Sequence, residues 1–264
     1  MTPEPYRYGP RSDQFLELTV PGPPGPAPVA VVLHGGFWRA AYGVDLARPL
    51  AADLAAAGIA AVAVEYRRVG DGGGWPQTLE DVAAALDLLA DLPGADRLDL
   101  ADVTVIGHSA GGHLAAWAAG RGRLPEGAPG AAPRVRVTAA VLQAGVLDLR
   151  LAAAQNLGNG AVREFLGAGR RDPLEDWWTA DPVRLLPTGV RVLCVHGAAD
   201  TVVPVEQSEV YAAAAAAAGD AVEVRVVPGD HMTVIDPASE AWRIVRDWMG
   251  RGRAAGPTRT TLGP

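Results

Sequence analysis

A serine set among glycines, Gly107-His108-Ser109-Ala110-Gly111, is the residue of this chain best placed to act as a nucleophile. It follows the apolar run Val103–Ile106 and precedes an alanine-rich segment, so it falls where a buried strand turns into a helix. On such a turn the hydroxyl is raised above a sheet, and the flanking glycines carry no Cβ to collide with neighbouring backbone. The helix that begins there aims N–H groups and its positive end at the site. A serine hydroxyl needs a base, and the base needs an orienting acid. Of the five histidines, His34 and His108 lie inside glycine motifs, and His113 and His196 are read as packing residues. His231, in VVPGDHMTVIDP, sits in a loop after the last strand candidate, where α/β proteins place catalytic groups. The acid is read as Asp200 in HGAADTVVP, just beyond the strand candidate 190–196. Asp148 is the rival, and Asp230 is expected to point away from the adjacent histidine.

Acyl transfer to serine creates an oxyanion, which needs preorganised N–H donors. Leu33-His34-Gly35-Gly36-Phe37-Trp38 directly follows a strand candidate, and its glycines leave backbone N–H groups unobstructed. The donors are read as Gly36 and Phe37, with Ala110 after the nucleophile as a third. Trp38, Trp75, His108 and Trp177 are the candidate pocket residues, since aromatic walls suit a flat or apolar substrate.

The elements that must hold these groups are short β-branched runs alternating with alanine- and leucine-rich segments. Strands are expected at 15–20, 29–34, 59–66, 103–108, 137–144, 190–196 and 222–227. Most are apolar throughout, as in a mostly parallel sheet covered on both faces. Helices are expected at 44–57, 78–92, 110–120, 205–218 and 238–250, with Thr78 and Asp81 as a near capping box. The last carries Trp242, Val245, Trp248 and Met249 on one face. This alternation argues a doubly wound α/β domain. It is expected to span 1–251, with residues 148–188 including a small cap excursion. The proline-rich 21–28 is read as a surface turn, and 252–264 as a disordered tail.

Composition narrows the function. The chain has 264 residues, 49% hydrophobic and 20% charged, enough for a large core. Its net charge is −7, and all 23 cationic residues are scattered arginines, which argues against nucleic-acid binding. Without lysine there is no Schiff base, Ser-Lys dyad or P-loop lysine. The single cysteine, Cys194, lies in an apolar strand and is read as a core thiol. No zinc-helix spacing of histidines occurs, and no metal or organic cofactor is expected. No signal-type segment or apolar run near 20 residues is present, so the expectation is a soluble cytoplasmic protein acting on a small molecule away from membranes. The sequence leaves oligomeric state open, a homodimer included.

Taken together, HGGFW, GHSAGGHLA, GAADTVVP and DHMTVIDP, in that order, resemble the α/β-hydrolase superfamily over residues 12–250. Within it, HGG followed by an aromatic residue and Trp is most similar to the arylformamidase (kynurenine formamidase) group and related bacterial esterases. EYRR (65–68) and WPQTLEDV (75–82) are similar to stretches of those proteins. The hormone-sensitive-lipase group usually has HGGG, where this chain has Phe37. The resemblance implies an α/β-hydrolase fold of seven to eight strands, with Ser109 as nucleophile, Asp200 as acid and His231 as base. It implies hydrolysis of a small ester, amide or aryl formamide. Two other classes stay open: a non-hydrolytic enzyme on the same triad, such as a lyase or perhydrolase, and a binding protein on this fold.

Overall fold

The computed structural model describes residues 2–22, 25–167 and 177–254. Among the described residues are eight strands: β1 (Glu4–Arg7), β2 (Phe15–Thr19), β3 (Ala27–Leu33), β4 (Ala60–Val64), β5 (Leu98–His108), β6 (Ala139–Gln143), β7 (Arg191–Gly197) and β8 (Val222–Val227). They form one sheet in the order β1-β2-β4-β3-β5-β6-β7-β8. The β1–β2 and β2–β4 pairs are antiparallel, and every later neighbour pair is parallel.

Around the sheet lie α1 (Arg48–Ala56), α2 (Gln77–Leu88), α3 (Ala110–Ala119), α4 (Leu149–Ala154), α5 (Ala161–Phe165), α6 (Glu206–Ala218) and α7 (Glu240–Ala254). Strand alternation sorts the core into two layers. Val29, Val31 and Leu33 of β3 face the layer that holds Leu86 of α2 and Leu114 of α3. Ala30 and Val32 face the opposite layer, with Leu54 of α1 and Trp242 of α7. Both indoles of α7 also find acceptors, Trp242 Nε1 donating to Asp53 and Trp248 Nε1 to Glu223, each at 2.7 Å. The chain is therefore an α/β-hydrolase fold. Among the described residues no helix is long and apolar enough to cross a membrane.

Several local expectations are corrected. The polar strand β1 was not anticipated, because an exposed edge strand carries no apolar pattern. Ala27 and Pro28 belong to β3 rather than to a surface turn, and the ladder shifts register between Pro28 and Val29, which accommodates the missing N–H. The segment at 44 opens with a 3-10 turn, Val44–Leu46, before α1. Thr78 does not cap α2: its Oγ1 donates to Arg67 O at 2.6 Å and accepts from Gly74 N–H at 3.0 Å. Asp81 instead takes the Arg67 guanidinium and the Gln14 amide. Helix α7 continues to Ala254, and the rest of the expected tail lies outside the described residues.

The cap comprises α4, α5 and the 3-10 turns Trp177–Thr179 and Pro182–Leu185; residues 168–176 lie outside the description. Asp181 anchors it, its Oδ1 accepting the Leu149 N–H at 3.0 Å. Burial, with Asp148 nearby, outweighs that bond and the attraction of Arg184 and Arg150, and pushes the Asp181 carboxyl up to about 7. A carboxyl raised in the folded state binds more protons there than when unfolded, so stability falls as pH rises from about 4 to about 7. Asp181→Asn, which keeps the acceptor for Leu149, is expected to raise Tm at pH 8 and leave it nearly unchanged at pH 4. Melting curves at the two pH values check this, and an equal Tm change at both would contradict it.

Candidate active site

Ser109 occupies the turn between β5 and α3 at φ 55° and ψ −117°, a conformation that side chains rarely adopt. The turn is held by long-range backbone bonds. Ser109 N–H donates to Gln143 O at the end of β6 at 2.8 Å, and Ser109 O accepts from Val146 at 3.3 Å. Glycines allow the crossing. A Cβ at Gly107 would stand 1.9 Å from Gly111 O, and one at Gly111 would stand 2.1 Å from Leu33 O. Gly107→Ala is therefore expected to cost at least ~3 kcal/mol of stability or to collapse the turn. Chemical denaturation measures the first, and loss of fluorophosphonate labelling at Ser109 the second; an unchanged, fully labelled variant would contradict both.

The HGG turn lies against this serine. A Cβ at Gly35 would meet His108 Nδ1 at 2.9 Å and Ser109 Cβ at 3.1 Å. Gly36, Phe37 and Trp38 have φ of 114°, 54° and 56°, and the Arg39 N–H closes the turn onto Gly36 O at 2.9 Å. Ala110 is the first residue of α3, a position whose N–H has no acceptor within its own helix. The turn thus sets Gly35 against His108 and Ser109, with Gly36 and Phe37 following it in the chain. The Phe37 ring packs where a Cβ of Gly158 would fall, with the Arg39 guanidinium 5.8 Å from its centroid.

Asp200 and His231 come together from the loops after β7 and β8. His231 Nδ1 lies 2.7 Å from Asp200 Oδ2, and Asp200 Oδ1 accepts from the Val202 and Val203 N–H groups at 2.8 and 2.9 Å. His196, read above as packing, is a further partner, its Nε2 3.3 Å from Asp200 Oδ2. Burial pushes the Asp200 carboxyl up, but the bonds from His196, His231, Val203 and Val202 outweigh it and hold the carboxyl far below its ordinary range. With Asp200 ionised, the His231 proton belongs on Nδ1, and Nε2 is left with a lone pair. The rival Asp148 is occupied elsewhere, capping α4 through the Leu151 N–H. Asp230 folds its own turn, accepting from the Met232 and Thr233 N–H groups.

Two candidate pocket residues prove to be braces. Trp38 is only 1% exposed. The positive φ values carry its indole inward, where Nε1 donates to His113 Nδ1 at 3.2 Å and the ring stacks on Phe165 at 4.7 Å. Burial pushes His113 down to about 4, so its neutral ring can accept from Trp38 while Nε2 donates to Ala180 O. His108 is likewise buried, and its Nε2 donates to His231 O at 2.9 Å. Burial, then the nearness of His231, pushes His108 down to about 3. It is a neutral prop that ties the residue before Ser109 to the backbone of His231. Trp75 is half-buried, its N–H donating to Phe165 O at 2.7 Å. Trp177 is buried and lines a small cleft with Leu149, Arg150, Trp178, Asp181 and Arg184. Among the described residues, Tyr42 is an exposed apolar group packed across Gly36, and Met232, the residue after His231, is exposed too.

His196 carried no signal of its role as a partner of Asp200 beyond its spacing, four residues before the acid.

The family profile BD-FAE matches residues 18–214. The chain is 32% identical over 198 residues to a probable carboxylic ester hydrolase, LipM, of Mycobacterium tuberculosis (strain ATCC 25618 / H37Rv), a match covering 73% of this chain and 44% of that protein. The chain thus spans less than half the length of that relative. Among solved structures, esterase B from Lactobacillus rhamnosis aligns at TM-score 0.81 and 22% identity, over 96% of this chain and 85% of that one. A truncated carbohydrate esterase from gut microbiota aligns at TM-score 0.80 and 22% identity, over 96% of both chains. At such identities the likeness of the two structures is one of fold.

Proposed function

We propose that this chain, which belongs to the BD-FAE family, hydrolyses a small carboxylic ester through an acyl-enzyme on Ser109. The observation that carries the reading is the His231–Asp200 bond of 2.7 Å, tethered through His108 to the strained turn of Ser109. The curated relative, described as a carboxylic ester hydrolase, supports the same class.

The chemistry follows from the donors and acceptors. Ser109 Oγ attacks the ester carbonyl carbon as His231 Nε2 takes its proton. The developing oxyanion is met by the N–H groups of Gly36, Phe37 and Ala110. His231 returns the proton to the departing alkoxide, and the alcohol leaves. A water molecule, deprotonated by His231, then attacks the acyl carbon; His231 returns that proton to Ser109 Oγ as its bond to the acyl carbon breaks, and the carboxylic acid leaves. Asp200 keeps the tautomer and balances the imidazolium. Tyr42, exposed and packed across Gly36, offers apolar surface to an acyl group.

The HGG-aromatic-Trp motif favours one second reading, an aryl formamide substrate cleaved by the same steps. Rates on p-nitrophenyl acetate and butyrate, with N-formylkynurenine alongside, separate the two. A kcat/KM above roughly 10⁴ M⁻¹s⁻¹ on the esters, with slow turnover of the formamide, supports the esterase. The reverse order supports the formamidase. No turnover of either, with no fluorophosphonate labelling of Ser109, would remove the hydrolase reading.

A further inference from the structure

The loop that carries the proposed oxyanion donors runs from His34, at the end of β3, to the 3-10 turn that begins at Val44. Both ends converge on one buried side chain, Glu65, just past β4. At the start, His34 Nε2 lies 3.0 Å from Glu65 Oε1. At the finish, the Val44 N–H donates to Glu65 Oε2 at 3.0 Å. His34 in turn reaches into the loop, its Nδ1 2.8 Å from the carbonyl oxygen of Gly35. That carbonyl shares a peptide plane with the N–H of Gly36, so whatever orients the one orients the other. The imidazole cannot swing, because it is stacked on Tyr66 with centroids 4.3 Å apart, and the Tyr66 hydroxyl donates to His34 O.

The surroundings hold Glu65 as a carboxylate. Its Oε1 also accepts from the Tyr66 N–H at 3.0 Å and faces the Arg68 guanidinium at 3.1 Å. Arg68 donates onward to Tyr42 O, within the same loop, and approaches Asp13 at 4.0 Å. Burial pushes the Glu65 carboxyl up, but the His34 bond and charge, the Val44 N–H and Arg68 outweigh it and hold the carboxyl below its ordinary value. A carboxylate can serve two N–H donors on separate oxygens, and a carboxamide cannot, since one of its two ends is itself a donor.

We propose that Glu65 is a positioning residue of the active site: it fastens both ends of the 35–43 loop, through His34 and through the Val44 N–H, and so sets the direction of the Gly36 N–H toward the oxyanion. The proposal rests on the reading of Ser109 as nucleophile and Gly36 as donor. A donor misdirected by a fraction of an ångström loses most of its value in the transition state, while ground-state binding of the substrate depends on it little.

Glu65→Gln keeps the shape and releases one end of the loop. Glu65→Asp keeps the charge facing Arg68 but is one methylene too short to span both ends. Rates on p-nitrophenyl acetate are taken per active site titrated with a fluorophosphonate, so loss of folded protein does not masquerade as slower chemistry. Both variants are expected to lose about 10²-fold in kcat with KM within roughly 3-fold, and to bind a boronic acid, a tetrahedral-anion mimic, weaker by a similar factor. In a His34→Asn background Glu65→Gln is expected to cost markedly less than alone, because the two residues act as one unit. If both variants keep kcat and boronate affinity within roughly 3-fold per titrated site, Glu65 only stabilises the fold and the proposal is overturned. If the unmutated protein neither labels nor cleaves esters, the hydrolase reading itself has failed, and this proposal fails with it.

Discussion

Replacing Ser109 with alanine is expected to lower kcat on an activated ester by about 10⁴-fold or more, with the fold intact. On the proposed mechanism the loss is large because the other groups have no covalent route without the hydroxyl: His231 has no proton to take, and the proposed oxyanion donors are left to assist water alone. Fold retention is expected because the alanine inherits a turn held by Gln143 O, Val146 and the glycine crossing rather than by the hydroxyl. Ser109→Gly should remove the activity equally, yet its backbone accepts φ 55°, ψ −117° without the clash of a Cβ. It is therefore expected to be more stable than Ser109→Ala, by about 1 kcal/mol, as strain at such positions is worth about 1–3 kcal/mol before the added chain entropy of glycine is subtracted. Stopped-flow rates and denaturant melts of the pair test both halves. Residual activity above a hundredth of the unmutated rate would show that Ser109 is not the nucleophile, and a less stable glycine variant would show that the turn is not strained.

Asp200→Asn is expected to lower kcat by about 10⁴-fold with a small change in KM. The asparagine oxygen can keep the Val202 and Val203 N–H groups, which places its amide N–H₂ against His231 Nδ1. The imidazole must then carry its proton on Nε2 and can no longer act as a base. Stability against pH provides a second reading of the same residue. The Asp200 carboxyl is held below its ordinary value, so the folded chain binds fewer protons there than the unfolded chain. Its contribution is present above pH ~4, the unfolded value, and is lost as pH falls toward the folded one. The variant should lose that part of the acid limb of the stability curve. Loss of less than 10-fold in kcat, or an acid limb identical to that of the unmutated protein, would place the orienting acid elsewhere.

Much of the frame was legible in the sequence. Runs such as VAVVL and VTVI carry no charge and no alternation of apolar with polar residues, as suits a strand covered on both faces, and both are buried here as expected. The glycines around Ser109 announced a crossing that only hydrogen side chains permit, and the crossing distances bear this out. These are local or nearest-neighbour facts, so composition and period suffice. The same local reading failed where the pattern was silent or ambiguous. Edge strand β1 has no buried face to write into its sequence, and Thr78 had two uses for one hydroxyl, of which the tertiary partner Arg67 O won.

What the sequence by itself determined, then, was the succession of β2 to β8 with the longer helices between them, the sharp turn at Ser109, the glycine-bearing turn after β3, and the loop addresses of Asp200 and His231. The tertiary structure decided which side chains face each other across those loops. It turned Trp38 and His108 from pocket walls into buried braces, gave Asp200 a further partner in His196, and closed the 35–43 loop on Glu65. The physical reason is one of range. A strand or a tight turn is set by dihedral preferences and neighbours a few residues away, whereas a buried polar group must find its partner wherever the packed chain brings one within about 3 Å.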